Sequence, residues 1–447
     1  MNRDLTTGNM TKSLLLFAFP IMVGNLMQQL YNVVDTIIVG QFLGKEALAA
    51  VGSSYALMTF LTSILLGLCM GSGVAFSICF GKKEMEKLHS DIFLSFCMIG
   101  GITVLMTVIV FAGLDGILWL LKVPADIYGM MREYLWVIFW GITATFFYNF
   151  FASLLRAAGN STVPLLFLGI SAALNIGLDL MFVIGFARGV RGAAEATVLS
   201  QYISGIGILV YTWIHFPEFR VGRRAMKWNG PVLKEIIHLS SLTCIQQSVM
   251  NFGILMVQGL VNSFGPVVMA AFSAAVKIDS FAYMPVQDFG NAFSTFVAQN
   301  YGAGKTERIK KGVQSAVRTS FLFSAAVSAA VFVSARQLMM IFVKPDETEI
   351  LQVGMDYLRI EGSFYCLIGF LFLLYGYFRA VARPGISLVL TVISLGTRVA
   401  LAYALSAVPA IGVNGIWAAV PIGWLLADVA GYIYYRKYSS TIPSGEK

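Results

Sequence analysis

Long apolar segments recur along this chain at a length that only a lipid bilayer explains. About 20 consecutive apolar residues carry a helix across the hydrocarbon core. The sequence offers twelve such stretches: 14–40, 47–80, 91–112, 130–156, 162–187, 192–215, 235–263, 267–301, 312–333, 352–381, 385–408 and 413–435. Backbone polar groups find no water in lipid, so segments of this kind must be helical. Several run past 25 residues and are expected to tilt, bend or protrude. Only 12% of the residues are charged, against roughly 25% in soluble domains, and no soluble domain can be cut from the sequence. The fold class is all-α integral membrane with twelve transmembrane helices. The first stretch is far longer than a signal-peptide core, carries Asp35 and lacks a small-residue cleavage pattern, so it is expected to be retained.

Loop charges set an orientation. The termini and alternate loops carry twenty Lys and Arg, Lys82, Lys83, Lys305 and Arg308 among them, whereas the opposite loops carry seven, including Arg188 and Arg191. By the positive-inside rule both termini are cytoplasmic, in a multi-pass protein of the plasma (inner) membrane. The net charge of +8 therefore reports topology, and no nucleic-acid partner is expected. The five cysteines form no CxxC pair and lie mostly in apolar surroundings, as small hydrophobes rather than a disulfide or metal framework.

The two halves resemble each other. LLRAAGNSTVPLLFLGISAALN (154–175) returns roughly 223 residues on as GYFRAVARPGISLVLTVISLGTR (376–398), and ALAAVGSS…CFGKK returns as VVMAAFSA…NYGAGK. Six spans per copy is an even number, so the copies point the same way. The expected architecture is two six-helix bundles, 1–215 and 235–447, joined by a cytoplasmic linker over 216–234. They are related by a pseudo-two-fold along the membrane normal, with a central cleft. Such a duplicated bundle is a transporter architecture more often than a channel or an enzyme.

A carboxylate within a span is expensive and marks a functional site by default. Gln28, Asn32 and Asp35 fall at i, i+4 and i+7 of the first span, with Tyr31 beside them and Pro20 upstream. At about 1.5 Å per residue, Asp35 lies roughly 30 Å from the cytoplasmic start of its helix, and Asp179 roughly 25 Å from the start of the fifth. Asn175 sits one turn below Asp179, and Thr197 roughly 8 Å below the outer end of the sixth helix. All four converge on the outer third of the N-terminal bundle. No Lys or Arg shares that depth unless Arg188 or Arg191 folds back from its loop. Desolvation and mutual repulsion both oppose double ionisation, so the two acids are expected to hold a proton or bind a cation. One charge moved through the membrane potential is worth about 2.3 kcal/mol per 100 mV, enough to drive uphill transport. Pro20 removes one backbone hydrogen bond and offers the first helix a hinge.

The C-terminal half differs. Lys277 and Asp279 on the eighth span, Glu361 on the tenth and Arg398 on the eleventh all fall roughly 14–20 Å from their helix starts. Two cations and two anions at one depth are expected to neutralise one another as a structural charge network. The repeat aligns Asp35 with Met256, Asn175 with Arg398 and Asp179 with Ala402. Only the N-terminal bundle keeps two acids without a resident basic partner.

These patterns resemble the multidrug and toxic compound extrusion (MATE) family over almost the whole chain. The matching runs are P…QQLYNVVDTIIVGQFLG in the first helix, LLRAAGNSTVP after the fourth, and NIGLDLMFVIGF…GAAEATVLSQ over the fifth and sixth. KIDSFAYMPVQDFGNAFSTFVAQNYGAGK and GTRVALAYALS…GIWAAVPIGWLL look like the family's eighth, eleventh and twelfth helices. The resemblance implies a secondary active antiporter, not an enzyme, that expels lipophilic cationic small molecules against H⁺ or Na⁺ by alternating access. Its cation site maps onto Asp35, Asn175, Asp179 and Thr197, and Gln28, Tyr31, Asn32 and Asn149 look like cavity-lining residues. One departure stands out. Some branches carry a glutamate on the seventh helix, where this chain has Gln246, Gln247 and Asn251 and no acid. That site is not carried over. Ser240-Ser241 also replaces a proline common in relatives.

Rival readings make distinct demands. A lipid-linked oligosaccharide flippase of related architecture needs a strongly cationic cleft, and only the C-terminal half supplies Lys277 and Arg398. An integral-membrane enzyme needs a nucleophile–base set or metal ligands at one depth, and none is found. Gly304-Lys305-Thr306 imitates the end of a phosphate loop, but Gln299 stands where the first glycine belongs. No cofactor and no metal beyond a coupling Na⁺ is expected, and the protein is expected to be a monomer.

Overall fold

A computed structural model describes residues 4–121, 123–223 and 225–439, leaving aside the side chains of residues 56, 120, 252–255 and 439. The loop charges Arg3, Lys122, Arg224 and Lys447 lie outside the described residues. Every element among them is helical. The first half holds α1 (Met10–Phe42), α2 (Lys45–Lys82), α3 (Met85–Ala112), the short α4 (Leu114–Leu120), α5 (Ala125–Ile138), α6 (Gly141–Ala157), α7 (Thr162–Asp179) and α8 (Gly189–His215). The second holds α9 (Gly230–Asn262), α10 (Pro266–Gly302), α11 (Thr306–Met339), α12 (Thr348–Gly362), α13 (Tyr365–Ala380), α14 (Pro384–Ser406) and α15 (Asn414–Ser439).

Ten of these helices are long and apolar enough to cross a membrane, and two bent pairs bring the number to twelve. The pairs are α5 with α6, bent by 42°, and α12 with α13, bent by 50°. They are the fourth and tenth spans, so the repeat relates the two bends. A glycine sits at each. A Cβ on Gly141 would lie 2.5 Å from Gln201 Oε1, and one on Gly362 would lie 3.1 Å from Val331 Cγ1. Each bend thus has a glycine beside it, and Gly362-Ser363 is a glycine–serine pair of the kind found at sharp kinks.

The chain divides into two compact units, and the division falls inside helices rather than in the 216–234 connection. One unit runs over Val23–Cys244; the other combines Leu5–Met22 with the residues from Ile245 onward. The first turns of α1 therefore belong with the second unit, and the first half of α9 with the first. The repeat relates these two crossing points. Each exchange has a visible cause. In the first unit, α2 opens a small-residue surface: a Cβ on Gly67 or Gly71 would lie 2.5 Å from the Cα of Cys244 or Ser240 respectively. Ser72 and Ser240 share a hydrogen bond at 2.9 Å, and Lys87 pairs with Glu235 at 2.8 Å. Small residues four apart let helix backbones approach closely, as in membrane helix pairs generally.

In the second unit the segment before α1 is clamped by side chains from α10, α11 and the turn between them. Leu5 N–H donates to Gln299 Oε1 at 3.2 Å, and Lys305 donates to the Thr6 carbonyl at 2.7 Å. The Arg308 guanidinium donates to the carbonyls of Leu5, Thr7 and Gly8. Hydrogen bonds to a charged group contribute about 1.5–3 kcal/mol each. Arg308→Ala is therefore expected to speed amide exchange over residues 5–9 at least tenfold, with helix content unchanged, as read by hydrogen–deuterium exchange mass spectrometry. Unchanged protection would show that the guanidinium is not what holds this segment.

Helix packing follows the same plan in each unit. In the first, α2 packs on α3, α5 and α6, and α8 packs on α5, α6 and α7. In the second, α10 packs on α11, α12 and α13, while α14 pairs with α15. Phe272 stacks on Trp417 at 5.4 Å, and Tyr357 meets both rings edge-on. That aromatic block holds Tyr357 with its hydroxyl toward the interior of the second unit.

Candidate functional site

Asp179 is the last residue of α7, where the helix widens into a π-type turn over Leu180–Gly185. Such widenings occur often at functional sites because the extra residue re-aims the side chains around it. Asn175 and Asp179 stand at i and i+4 on one face, 1% and 0% exposed. Asn175 Nδ2 donates to Thr197 Oγ1 of α8 at 3.2 Å. The Asp35 carboxyl, carried by α1, meets the Asp179 carboxyl directly. Asp35 Oδ1, Asn175 Oδ1 and both Asp179 oxygens are buried and find no donor among the described residues. The sequence-predicted quartet is thus one group of side chains in the first unit. Its four unpartnered oxygens are acceptors that no donor reaches among the described residues. The contact between the two carboxyls becomes a hydrogen bond only when one of them carries a proton.

No basic side chain relieves the pair among the described residues. Arg188 and Arg191 do not fold back onto it: both pair with Glu195, Arg191 Nε at 2.9 Å. Tyr134 of α5, 8% exposed, lies within electrostatic reach of both carboxyls. Sequence reasoning missed it, because one tyrosine in an aromatic-rich span carries no pattern.

The polar stripe of α1 leads up to the acids. Gln28 and Tyr31 are hydrogen-bonded to each other, and Tyr31 lies within electrostatic reach of Asp35. Gln28 is exposed, while Tyr31 and Asn32 are partly buried. Asn149 turns inward on its own helix, its Nδ2 donating to the Thr145 carbonyl at 2.9 Å. Pro20 lies inside an unbroken α1, close before the point where the helix changes unit.

Of the four charges expected to form a network in the second unit, three come together. Asp279 and Glu361 are 6% and 1% exposed, with Arg398 in electrostatic reach of both. Lys277 does not join them. It is exposed, with its ammonium 5.8 Å from the centre of the Phe342 ring. Helix geometry is the reason: residues two apart point about 200° apart around the axis, so Lys277 and Asp279 cannot share a face. Tyrosines take the missing cation's place. Tyr365 Oη donates to Asp279 Oδ1 at 2.7 Å, and Tyr357 Oη reaches Oδ2 at 3.5 Å. Removing a donor from a buried carboxyl costs about 1.5–3 kcal/mol. Tyr365→Phe is therefore expected to lower the melting temperature of the solubilised protein by several degrees, as followed by tryptophan fluorescence. An unchanged melting curve would show that this bond adds nothing.

The MatE family model matches the chain twice, over residues 20–181 and 242–404. The chain belongs to the multidrug and toxic compound extrusion (MATE) family. The two matches also coincide with the duplicated halves. A probable multidrug resistance protein of Bacillus subtilis, YpnP, is 30% identical over 436 residues, covering 97% of this chain and 96% of that protein. The multidrug export protein MepA of Staphylococcus aureus is 25% identical over 376 residues, covering 81% of this chain and 80% of its own length. Among solved structures, an outward-facing multidrug resistance MATE transporter superposes with a TM-score of 0.91 at 24% identity, covering 99% of this chain and 98% of that one. As a MATE protein, the chain is a multi-pass membrane transporter with the twelve-helix fold.

Proposed function

We propose that this MATE protein is a secondary active antiporter that expels lipophilic organic cations in exchange for H⁺ or Na⁺ by alternating access. The observation that carries the reading is the meeting of the buried Asp179 carboxyl with that of the partly buried Asp35, with no cation beside them among the described residues. Such a pair is stable with a proton between its oxygens or a cation among them, and strongly repulsive when empty. Asn175 Oδ1 and Thr197 Oγ1 add neutral oxygens that suit either ion.

Occupancy of that group couples the two fluxes. Release of the ion leaves net negative charge, which favours a cationic, partly apolar guest. Rebinding of the ion from outside removes the attraction and expels the guest. Gln28, Tyr31, Asn32 and Asn149 line the guest's path in this reading, and Pro20 is the hinge on which α1 responds to occupancy. Aromatic and Met side chains suit a site that accepts several shapes. The names of the relatives, a probable multidrug resistance protein and a multidrug export protein, support a small-molecule guest. The loop charges support cytoplasmic termini in a plasma-membrane protein.

The test is transport in proteoliposomes loaded with a fluorescent cationic dye, with a proton gradient or a sodium gradient imposed alone. Dye movement driven by one gradient, and abolished when an ionophore dissipates it, is the expected result. Dye that stays put under both gradients would sink the reading, and transport of a lipid-linked diphosphate instead would favour a flippase.

A further inference from the structure

The last helix carries an acid that neither charged group above includes. Pro421, Trp424, Asp428 and Gly431 fall at i, i+3, i+7 and i+10 of α15, which places them on one face. That face is packed. Trp424 is 6% exposed, and a Cβ on Gly431 would lie 2.5 Å from Leu374 of α13 and 3.1 Å from Leu390 of α14. The opposite face, with Leu425, Leu426, Val429 and Ile433, is exposed. Asp428 thus turns toward α13 and α14, not toward lipid.

Both Asp428 carboxyl oxygens are buried and have no hydrogen-bond partner among the described residues. The titratable side chain facing it is Tyr375 of α13, which lies beside Thr391 of α14. Thr391 in turn donates to the Ser387 carbonyl at 2.9 Å. No charged side chain of α12, α13 or α14 balances Asp428 among the described residues. An ionised carboxylate left without a partner in such a place costs several kcal/mol, whereas the neutral acid costs far less. A metal cation would need several oxygen ligands, and among the described residues Asp428 belongs to no group of three metal-ligating side chains. A proton needs none.

We propose that Asp428 is a second proton-binding carboxyl of this transporter, separate from the Asp35–Asp179 pair, and that it exchanges its proton during the transport cycle. It lies roughly 21 Å along α15 from Asn414, inside the span and toward the end that carries Arg436 and Lys437. The repeat gives it no counterpart in the first unit. The matching position there is Gly205, where even a Cβ would come 2.8 Å from the Ala144 carbonyl oxygen. The exchange step rests on the antiport reading; proton occupancy of Asp428 does not.

Carbodiimide labelling tests occupancy directly, because dicyclohexylcarbodiimide reacts with protonated carboxyls in apolar surroundings. On the full-length protein in liposomes at about pH 7.5, where exposed aspartates are ionised, peptide mass spectrometry is expected to find an adduct at Asp428. The adduct should fade as the pH rises and disappear in Asp428→Asn. In the dye assay, Asp428→Asn is expected to move one proton fewer per dye molecule, with Asp428→Glu restoring the wild-type number. No adduct at Asp428 at any pH between about 5 and 8 overturns the proposal, as does an unchanged proton count in Asp428→Asn. A wild-type protein that moves no dye under any gradient defeats the antiport reading and leaves the labelling result to be read by itself.

Discussion

Asp179→Asn and Asp35→Asn are each expected to reach the membrane at wild-type levels and to lose gradient-driven efflux. The amide keeps the shape of the carboxyl and fills the same space, so α7 and α1 have no packing reason to move. What disappears is the charge that one ion must neutralise. With a single acid left, the repulsion between Asp35 and Asp179 is gone, so the remaining carboxyl holds the coupling ion less tightly and its occupancy no longer follows the gradient. Each proton exchanged under a gradient of one pH unit is worth about 1.4 kcal/mol, tenfold in the substrate ratio. Uncoupling should therefore collapse the steady-state dye ratio at least tenfold, toward unity. Asp179→Glu keeps the charge but lengthens the side chain, and is expected to retain partial coupling. Full accumulation in both asparagine variants would remove the pair from the mechanism.

The second large effect is expected at Gly71, and it acts on folding. A Cβ there would stand 2.5 Å from the Cα of Ser240 and 2.6 Å from the Leu239 carbonyl oxygen. Both are backbone atoms, so no side chain can swing aside to make room. Gly71→Val must push α9 off α2, which strips the Ser72–Ser240 hydrogen bond as well. Overpacking with side-chain neighbours costs about 1–3 kcal/mol, and a backbone neighbour places this change at or beyond the top of that range. Loss of most monodisperse protein on fluorescence size-exclusion chromatography is expected. Gly52→Val is the control, because a Cβ on Gly52 of the same helix meets nothing within 4 Å. Equal yields of the two variants would show that the α2–α9 contact is not tight.

The quartet Asp35, Asn175, Asp179 and Thr197 was legible in the sequence because depth along a membrane helix follows from residue number. A fixed rise converts position to height, and the i, i+4 rule puts Asn175 and Asp179 on one face. Lys277 shows where that reasoning stops. Residue number gives height without direction, and Lys277 shares the height of Asp279 while pointing away from it. Tyr357 and Tyr365 were invisible for a related reason: a tyrosine in an aromatic-rich span announces nothing until its hydroxyl is seen on a carboxylate. Asp428 carried the same signal as Asp35, an acid in an apolar run, but lacked a polar stripe to single it out.

By itself the sequence determined the class of this protein. Apolar runs of membrane length leave the backbone only the helix, the duplication sets two similar halves, and the cost of burying charge marks the acids that matter. Tertiary structure decided which half each helix segment joins. α1 and α9 change unit at points the repeat relates, and neither composition nor hydropathy shifts there. The cause is close packing: glycines on α2 admit the start of α9, and Arg308 with Lys305 holds the segment before α1. Contacts of that kind depend on what lies across the helix, which no count along the chain contains.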